Sequence, residues 1–231
     1  MNFRLPIKSQ DTPSASYSNI MNQASPTFEL APATCADIPR LAYVYVVACL
    51  PDNAFALYFD NPKEFEQRVT EMFEGQVGDP NRQHIKVVDK DTGEITAWAS
   101  WNTPTDVEIR ERDEKAAAKI LASKKDLAKG EFDFPLVCRS VFTEPTFQRR
   151  GMGNALVEYG NKLADKKGLP IFMQASPFGF PLYTKHGFET VQCSDVDLRE
   201  WAPDAEGNDK GYGNYKFRYM QRLPQTLPES I

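Results

Sequence analysis

Apolar residues recur along this chain in two rhythms, and the switches between them mark out its elements. Phe28-Glu29-Leu30-Ala31-Pro32-Ala33 reads as a short strand. Thr34 followed by Asp37 is a capping-box-like helix start, with Pro39 tolerated in the first turn. Ile38, Leu41, Tyr45 and Cys49 then fall on one helical face, until Pro51-Asp52-Asn53 stops the helix. Ala54 to Phe59 is a compact aromatic piece, in which Phe55, Tyr58 and Phe59 are candidates for a pocket wall or for the core. Asn61-Pro62 opens a second helix that carries Phe65, Val69, Met72 and Phe73 inward.

Arg82 to Asp89 and Glu94 to Asn102 alternate with the period of strands, and Lys90-Asp91-Thr92-Gly93 between them is a hairpin signal. Ile85 and Val87 should share a face, as should Thr96, Trp98 and Ser100. A further apolar run, Phe134 to Phe142, ends near Pro145, and Met152, Ala155, Leu156, Tyr159 and Leu163 follow at helical spacing. Leu169 to Ala175 reads as a buried strand and Ser176 to His186 as a turn plus short helix. Phe188 to Asp197 and Asn214 to Met220 read as a final strand pair.

Length and composition narrow the class. The chain has 231 residues, enough for one large domain, and 27 basic against 32 acidic residues give a net charge of −5. That balance excludes a typical nucleic-acid binder. Four scattered cysteines form no CxxC pair, and two histidines form no metal cluster, so reduced thiols and no metal are expected. The pattern predicts a loosely structured arm over 1–26, a single domain over 27–222 and a tail over 223–231. A charge-mixed helical insertion at about 103–131 interrupts the domain. No run resembles a signal sequence or a membrane span, so a cytoplasmic protein, with the nucleus as the alternative, and no membrane partner are expected.

The candidate chemistry lies on the turn Gln148-Arg149-Arg150-Gly151-Met152-Gly153. The first N–H groups of a helix have no partner inside it and face outward at the positive end of the macrodipole. Glycine lets a phosphate approach the backbone itself. Charge-assisted bonds from Arg149 or Arg150 add about 1.5–3 kcal/mol each. A Walker loop would need Gly-Lys-Ser/Thr, which is missing, and a dinucleotide fingerprint would need a third glycine where Leu156 stands. A pyrophosphate held by another kind of loop fits best.

This turn resembles the Gln/Arg-x-x-Gly-x-Gly/Ala loop of the GNAT (general-control-related) N-acetyltransferase superfamily. The segment Tyr183-Thr184-Lys185-His186-Gly187-Phe188 resembles the same family's Tyr-x-x-x-Gly-Phe motif. The resemblance spans roughly Phe28 to Met220 and is strongest over Val137 to Phe188. It implies an α/β (α+β) fold, the acyl-CoA N-acyltransferase fold. Its mixed central sheet of about six to seven strands splays between the fourth and fifth and is flanked by helices.

The same resemblance implies acetyl-CoA as cosubstrate. Gln148, Arg149, Arg150, Gly151, Met152, Gly153 and Asn154 would hold its pyrophosphate, Val141, Phe142 and Thr143 its pantetheine arm, and Ser176 would lie beside them. Tyr183 would be the general acid toward the leaving thiol, and a backbone amide at Phe142 would face the oxyanion. The family's strand-borne base would fall at position 137 or 139, where this chain has Val137 and Arg139. Glu144, Asp133, Glu131 or a water chain remain candidates, and His186 reads as a turn residue. The acidic loop Asp204 to Asp209 points weakly to a cationic acceptor. The leading expectation is an N-acetyltransferase acting on a small-molecule primary amine in a ternary complex, as monomer or homodimer. A protein (lysine or N-terminal) acetyltransferase and a non-catalytic CoA-binding module are the alternatives.

Overall fold

The computed structural model describes residues 27–57, 61–105, 136–202 and 212–225. The arm, positions 106–135 with most of the expected insertion, Glu131 and Asp133, the acidic loop, Tyr58 and Phe59 lie outside them. Among the described residues seven strands form one sheet in the order β1-β2-β3-β4-β5-β7-β6. In chain order they are β1 (Phe28–Pro32), β2 (Arg82–Asp89), β3 (Ile95–Asn102), β4 (Leu136–Thr143), β5 (Ile171–Ala175), β6 (Glu189–Asp197) and β7 (Asn214–Arg222). Every neighbouring pair is antiparallel except β4 and β5, which are parallel. Among the helices, α1 spans Ile38–Cys49, α2 Asn53–Ala56, α3 Pro62–Glu74, α4 Met152–Lys167 and α5 Phe180–Lys185.

The start and stop signals work locally as their chemistry requires. Thr34 and Asp37 form the expected capping box, but around a 3-10 turn over Cys35–Asp37 that leads into α1. The Asn61 side chain accepts from the Lys63 N–H at 3.0 Å, so Pro62 loses nothing at the first helical position. Gly168, at φ 62, ends α4 in the left-handed conformation that glycine adopts without steric cost.

The two faces of the sheet bury separate clusters. On one, α4 lays Met152, Leu156, Val157 and Ala164 against Val87, Ala97, Ala99 and Trp101. Gly160 is what allows this approach, because a Cβ there would lie 2.2 Å from the Trp101 ring. On the other, α1 and α3 enclose Trp98, whose Nε1 donates to the Leu41 carbonyl at 3.0 Å. Arg222, only 4% exposed, forks onto both oxygens of Asp165 at 2.9 Å each and ties the end of β7 to α4.

Two bulges in the middle strands depart from simple alternation. Val87 pairs with Ala97 but Val88 with Ile95, so Thr96 is an extra residue. Its hydroxyl turns to the Met152 sulfur, 3.2 Å away on the α4 face, and does not share a face with Trp98 as the alternation predicts. Ser100 pairs with Ser140 but Trp101 with Cys138, so Arg139 is the extra residue of β4.

His84, 4% exposed, stands edge-on to Phe73 at 5.8 Å, and neither ring nitrogen makes a good hydrogen bond among the described residues. Burial, helped by the nearby Arg82 charge, pulls its pKa down from 6.5 to about 4. The unfolded chain therefore binds the extra proton first, and stability is lost as pH falls from about 6.5 toward 4. Between pH 7 and 5 this linkage should cost the parent protein about 2 kcal/mol relative to His84→Leu. Paired denaturant titrations at the two pH values measure it, and parallel losses in both proteins would contradict it.

Candidate active site

β4 and β5 share only two register pairs, Leu136 with Ile171 and Val137 with Phe172, after which they part. β4 stays paired to β3 as far as Thr143, so among the described residues its other edge has no strand partner from Cys138 onward. The bulge at Arg139 decides which groups that edge presents. Before it, the Leu136 N–H points toward β5, where it donates to the Pro170 carbonyl at 2.9 Å. After it, Glu144 donates to the directly opposed Thr96 carbonyl at 2.9 Å. By the alternation of an antiparallel ladder, Phe142 and Ser140 then also bond across to β3. The amides of Val141 and Thr143 face the parting. The register thus gives the Phe142 N–H, expected to face the oxyanion, to Trp98, and leaves the amides of Val141 and Thr143 on the other edge.

A cavity of about 910 Å³ occupies the parting and continues to the start of α4. Gly151 sits there at φ 89 and Arg149 at φ 64, so the loop turns through two left-handed residues before the helix begins. The N–H groups of Met152, Gly153 and Asn154 have no partner within the helix. A Cβ on Gly151 would meet nothing within 4 Å, whereas one on Gly153 would lie 3.3 Å from Leu182, so the two glycines serve different ends. The first sets the backbone conformation, and the second lets α5 approach. This open helix end beside an unpaired strand edge fits a ligand with a diphosphate and an amide-bearing arm.

Among the residues expected at the ligand, Val141, Phe142, Thr143, Gln148, Arg149, Gly151, Met152, Gly153, Asn154, Ser176 and Tyr183 all line this cavity. The Arg150 side chain does not. It lies over the Phe147 ring at 4.9 Å and donates to the Thr146 carbonyl. Gln148 donates to the Thr143 carbonyl at 3.2 Å and so braces the loop against the end of β4.

Tyr183 enters from α5, its ring under Gly179, where a Cβ would come within 2.8 Å. Its hydroxyl has no hydrogen-bond partner among the described residues, and burial together with the neighbouring Cys138 thiol holds its pKa well above the ordinary value. It is therefore a phenol at any physiological pH. His186 reaches back to the Asn154 side chain at 3.0 Å, and burial lowers its pKa. Glu144 pairs with Arg40 and accepts from Thr146 at 3.1 Å, away from the cavity wall.

The chain's linear order did not expose the far wall. Asp52, read as part of a helix stop, lines the cavity beside Tyr45 and Phe55, and Phe217 reaches it from β7. Asp52 accepts from Tyr215, 163 positions away, at 2.6 Å. The alternation of Tyr215 and Phe217 was the available signal for this wall, although Tyr219, the next in the alternation, is exposed and does not join them.

Comparison with known proteins agrees with this architecture. No family model matches the chain. A Corynebacterium glutamicum structure described as histone acetyltransferase HPA2 and related acetyltransferase superposes with a TM-score of 0.57 at 21% identity. That match covers 88% of this chain and 99% of that one. The ribosomal-protein-S18-alanine N-acetyltransferase of Escherichia coli gives 0.52 at 14% identity, over 88% and 98%. Arabidopsis thaliana NAA60, solved with a bisubstrate analogue, gives 0.52 at 12% identity, over 86% of this chain and 99% of that one. The chain has the fold of the GNAT N-acetyltransferases. Among the described residues no group could hold a metal ion, and no helix is long and apolar enough to cross a membrane.

A side chain at Gly151 must adopt a strained backbone and project toward the cavity. Gly151→Val should weaken coenzyme A binding tenfold or more in calorimetry, about 1.4 kcal/mol. Unchanged affinity would remove this loop from the ligand site.

Proposed function

We propose that the chain is an acetyl-CoA-dependent N-acetyltransferase whose acceptor is the primary amine of a small molecule. The observation that carries the reading is the single cavity joining three features. These are the open N-terminus of α4, the unpaired amides of β4 and the hydroxyl of Tyr183.

In this reading the amides from Gly151 through Asn154 hold the diphosphate, with Arg149 beside them, and the α4 dipole contributes roughly 0.3–2 kcal/mol. The edge amides of Val141 and Thr143 take up the amide-bearing arm as an added strand would. When bound, acetyl-CoA supplies an acetyl group activated as a thioester. In this reading the Val141 N–H donates to the carbonyl oxygen as negative charge builds on it, a contact that would strengthen in the transition state. Tyr183 keeps its proton on Oη and offers it to the sulfur. A thiol's ordinary pKa is about 8.5, so the phenol serves as a standing donor, and its proton need not be fully surrendered before the bond to sulfur breaks.

The acceptor side is a walled recess. Tyr45, Phe55, Phe142 and Phe217 line it, and an apolar enclosure of this size suits a compact ligand.

Thiol release from acetyl-CoA, screened against pooled small amines and separately against peptides, tests the reading. Release with amines is expected, and release with peptides alone would transfer the activity to the protein-directed class. Tyr183→Phe retains the packing under Gly179 and should lower turnover roughly 10²-fold with coenzyme A affinity unchanged. Equal turnover would take the hydroxyl out of the chemistry.

A further inference from the structure

The acceptor recess contains a carboxylate that no cationic side chain among the described residues pairs with. Asp52 is 6% exposed, yet it makes no ion pair among the described residues. Its Oδ1 accepts from the Ala54 N–H at 3.1 Å and its Oδ2 from the Tyr215 hydroxyl at 2.6 Å. A carboxylate offers about four acceptor positions, so about two stay open. Burying an uncompensated carboxylate is costly, and such groups are normally paired. The cavity is where a partner can enter, because Asp52 is part of its wall.

The surroundings define that partner. Aromatic rings share its cavity: Tyr45 and Phe142, both in the lining, lie 4.3 Å apart between ring centroids, and Tyr215, which donates to the carboxylate, lies 4.8 Å from the lining residue Phe217. Aromatic faces attract cations and accept apolar groups equally well. The cationic side chains of the same cavity, Arg139 and Arg149, come from β4 and the loop before α4, whereas Asp52 lies between α1 and α2.

We propose that Asp52, held by Tyr215, is the anionic seat for the ammonium group of the acceptor, and that the acceptor class is small primary amines with an apolar, aromatic-compatible body. The proposal rests on the acetyltransferase reading and deepens it. Asp52 would then select and orient the amine, whose ammonium gives up one proton to solvent before its nitrogen attacks, while the Val141 amide and Tyr183 act on the thioester.

The test uses the full chain saturated with coenzyme A and two probes of one shape, phenethylamine and its neutral counterpart 2-phenylethanol, titrated by calorimetry. The parent protein should prefer the amine at least tenfold. Asp52→Asn retains an oxygen for the Ala54 N–H, and it should abolish that preference while leaving coenzyme A affinity and 2-phenylethanol binding unchanged. Asp52→Ser also removes the charge while keeping an oxygen, and it should lose the preference too, which provides a second reading should Asp52→Asn fail to fold. Equal binding of both probes by the parent, or an undiminished preference in Asp52→Asn or Asp52→Ser, would each overturn the proposal. Absence of coenzyme A binding would instead overturn the acetyltransferase reading, and the preference can still be measured on the protein without coenzyme A.

Discussion

The site depends on hydrogen bonds that the sheet does not make. Parallel neighbours in a buried sheet normally pair along their whole shared length, because an unpaired buried amide costs about 1–3 kcal/mol. Here β4 and β5 pair at two positions and then part. On either side the sheet is sound, with β4 held by β3 and β5 held by β7 along its full length. The parting is thus a local gap in an otherwise saturated frame, and its open edge is the feature a bound amide arm would complete.

The packing on both faces keeps that gap in place. Trp98 fills the α1 and α3 side of the central strands, ringed by Tyr45, Phe73 and Phe142. Trp101 does the same on the other side, seated against the bare backbone of Gly160. These contacts fix α4 relative to β3 and therefore fix the direction in which its first N–H groups point. Arg40, which donates to the Ile95 carbonyl at 2.8 Å and pairs with Glu144, binds α1 to the same end of the sheet.

Much of this was legible in the residues. The strand–turn–helix around Gly151, the helix opened by Asn61-Pro62 and the hairpin at Lys90 to Gly93 each rest on short-range chemistry, and the chain folds there as that chemistry dictates. The bulges at Thr96 and Arg139 were not legible, since one extra residue in a ladder leaves no mark on composition and little on periodicity. Their effect is large even so: the first moves Thr96 to the α4 face, and the second hands the Phe142 amide to β3. Asp52 escaped notice for a different reason. As a residue in Pro-Asp-Asn it reads as a helix terminator, which it also is, and only the long-range meeting with Tyr215 shows its second environment.

The placement of β7 between β5 and β6 has a bearing on biosynthesis. Both neighbours leave the ribosome before the strand that joins them, so each waits with an unsatisfied edge until residues 214–222 have been made. Tyr215 arrives on that late strand, and with it the hydroxyl that steadies Asp52. A nascent chain halted short of this point would contain the residues of the ligand loop but lack the strand that finishes the wall opposite it.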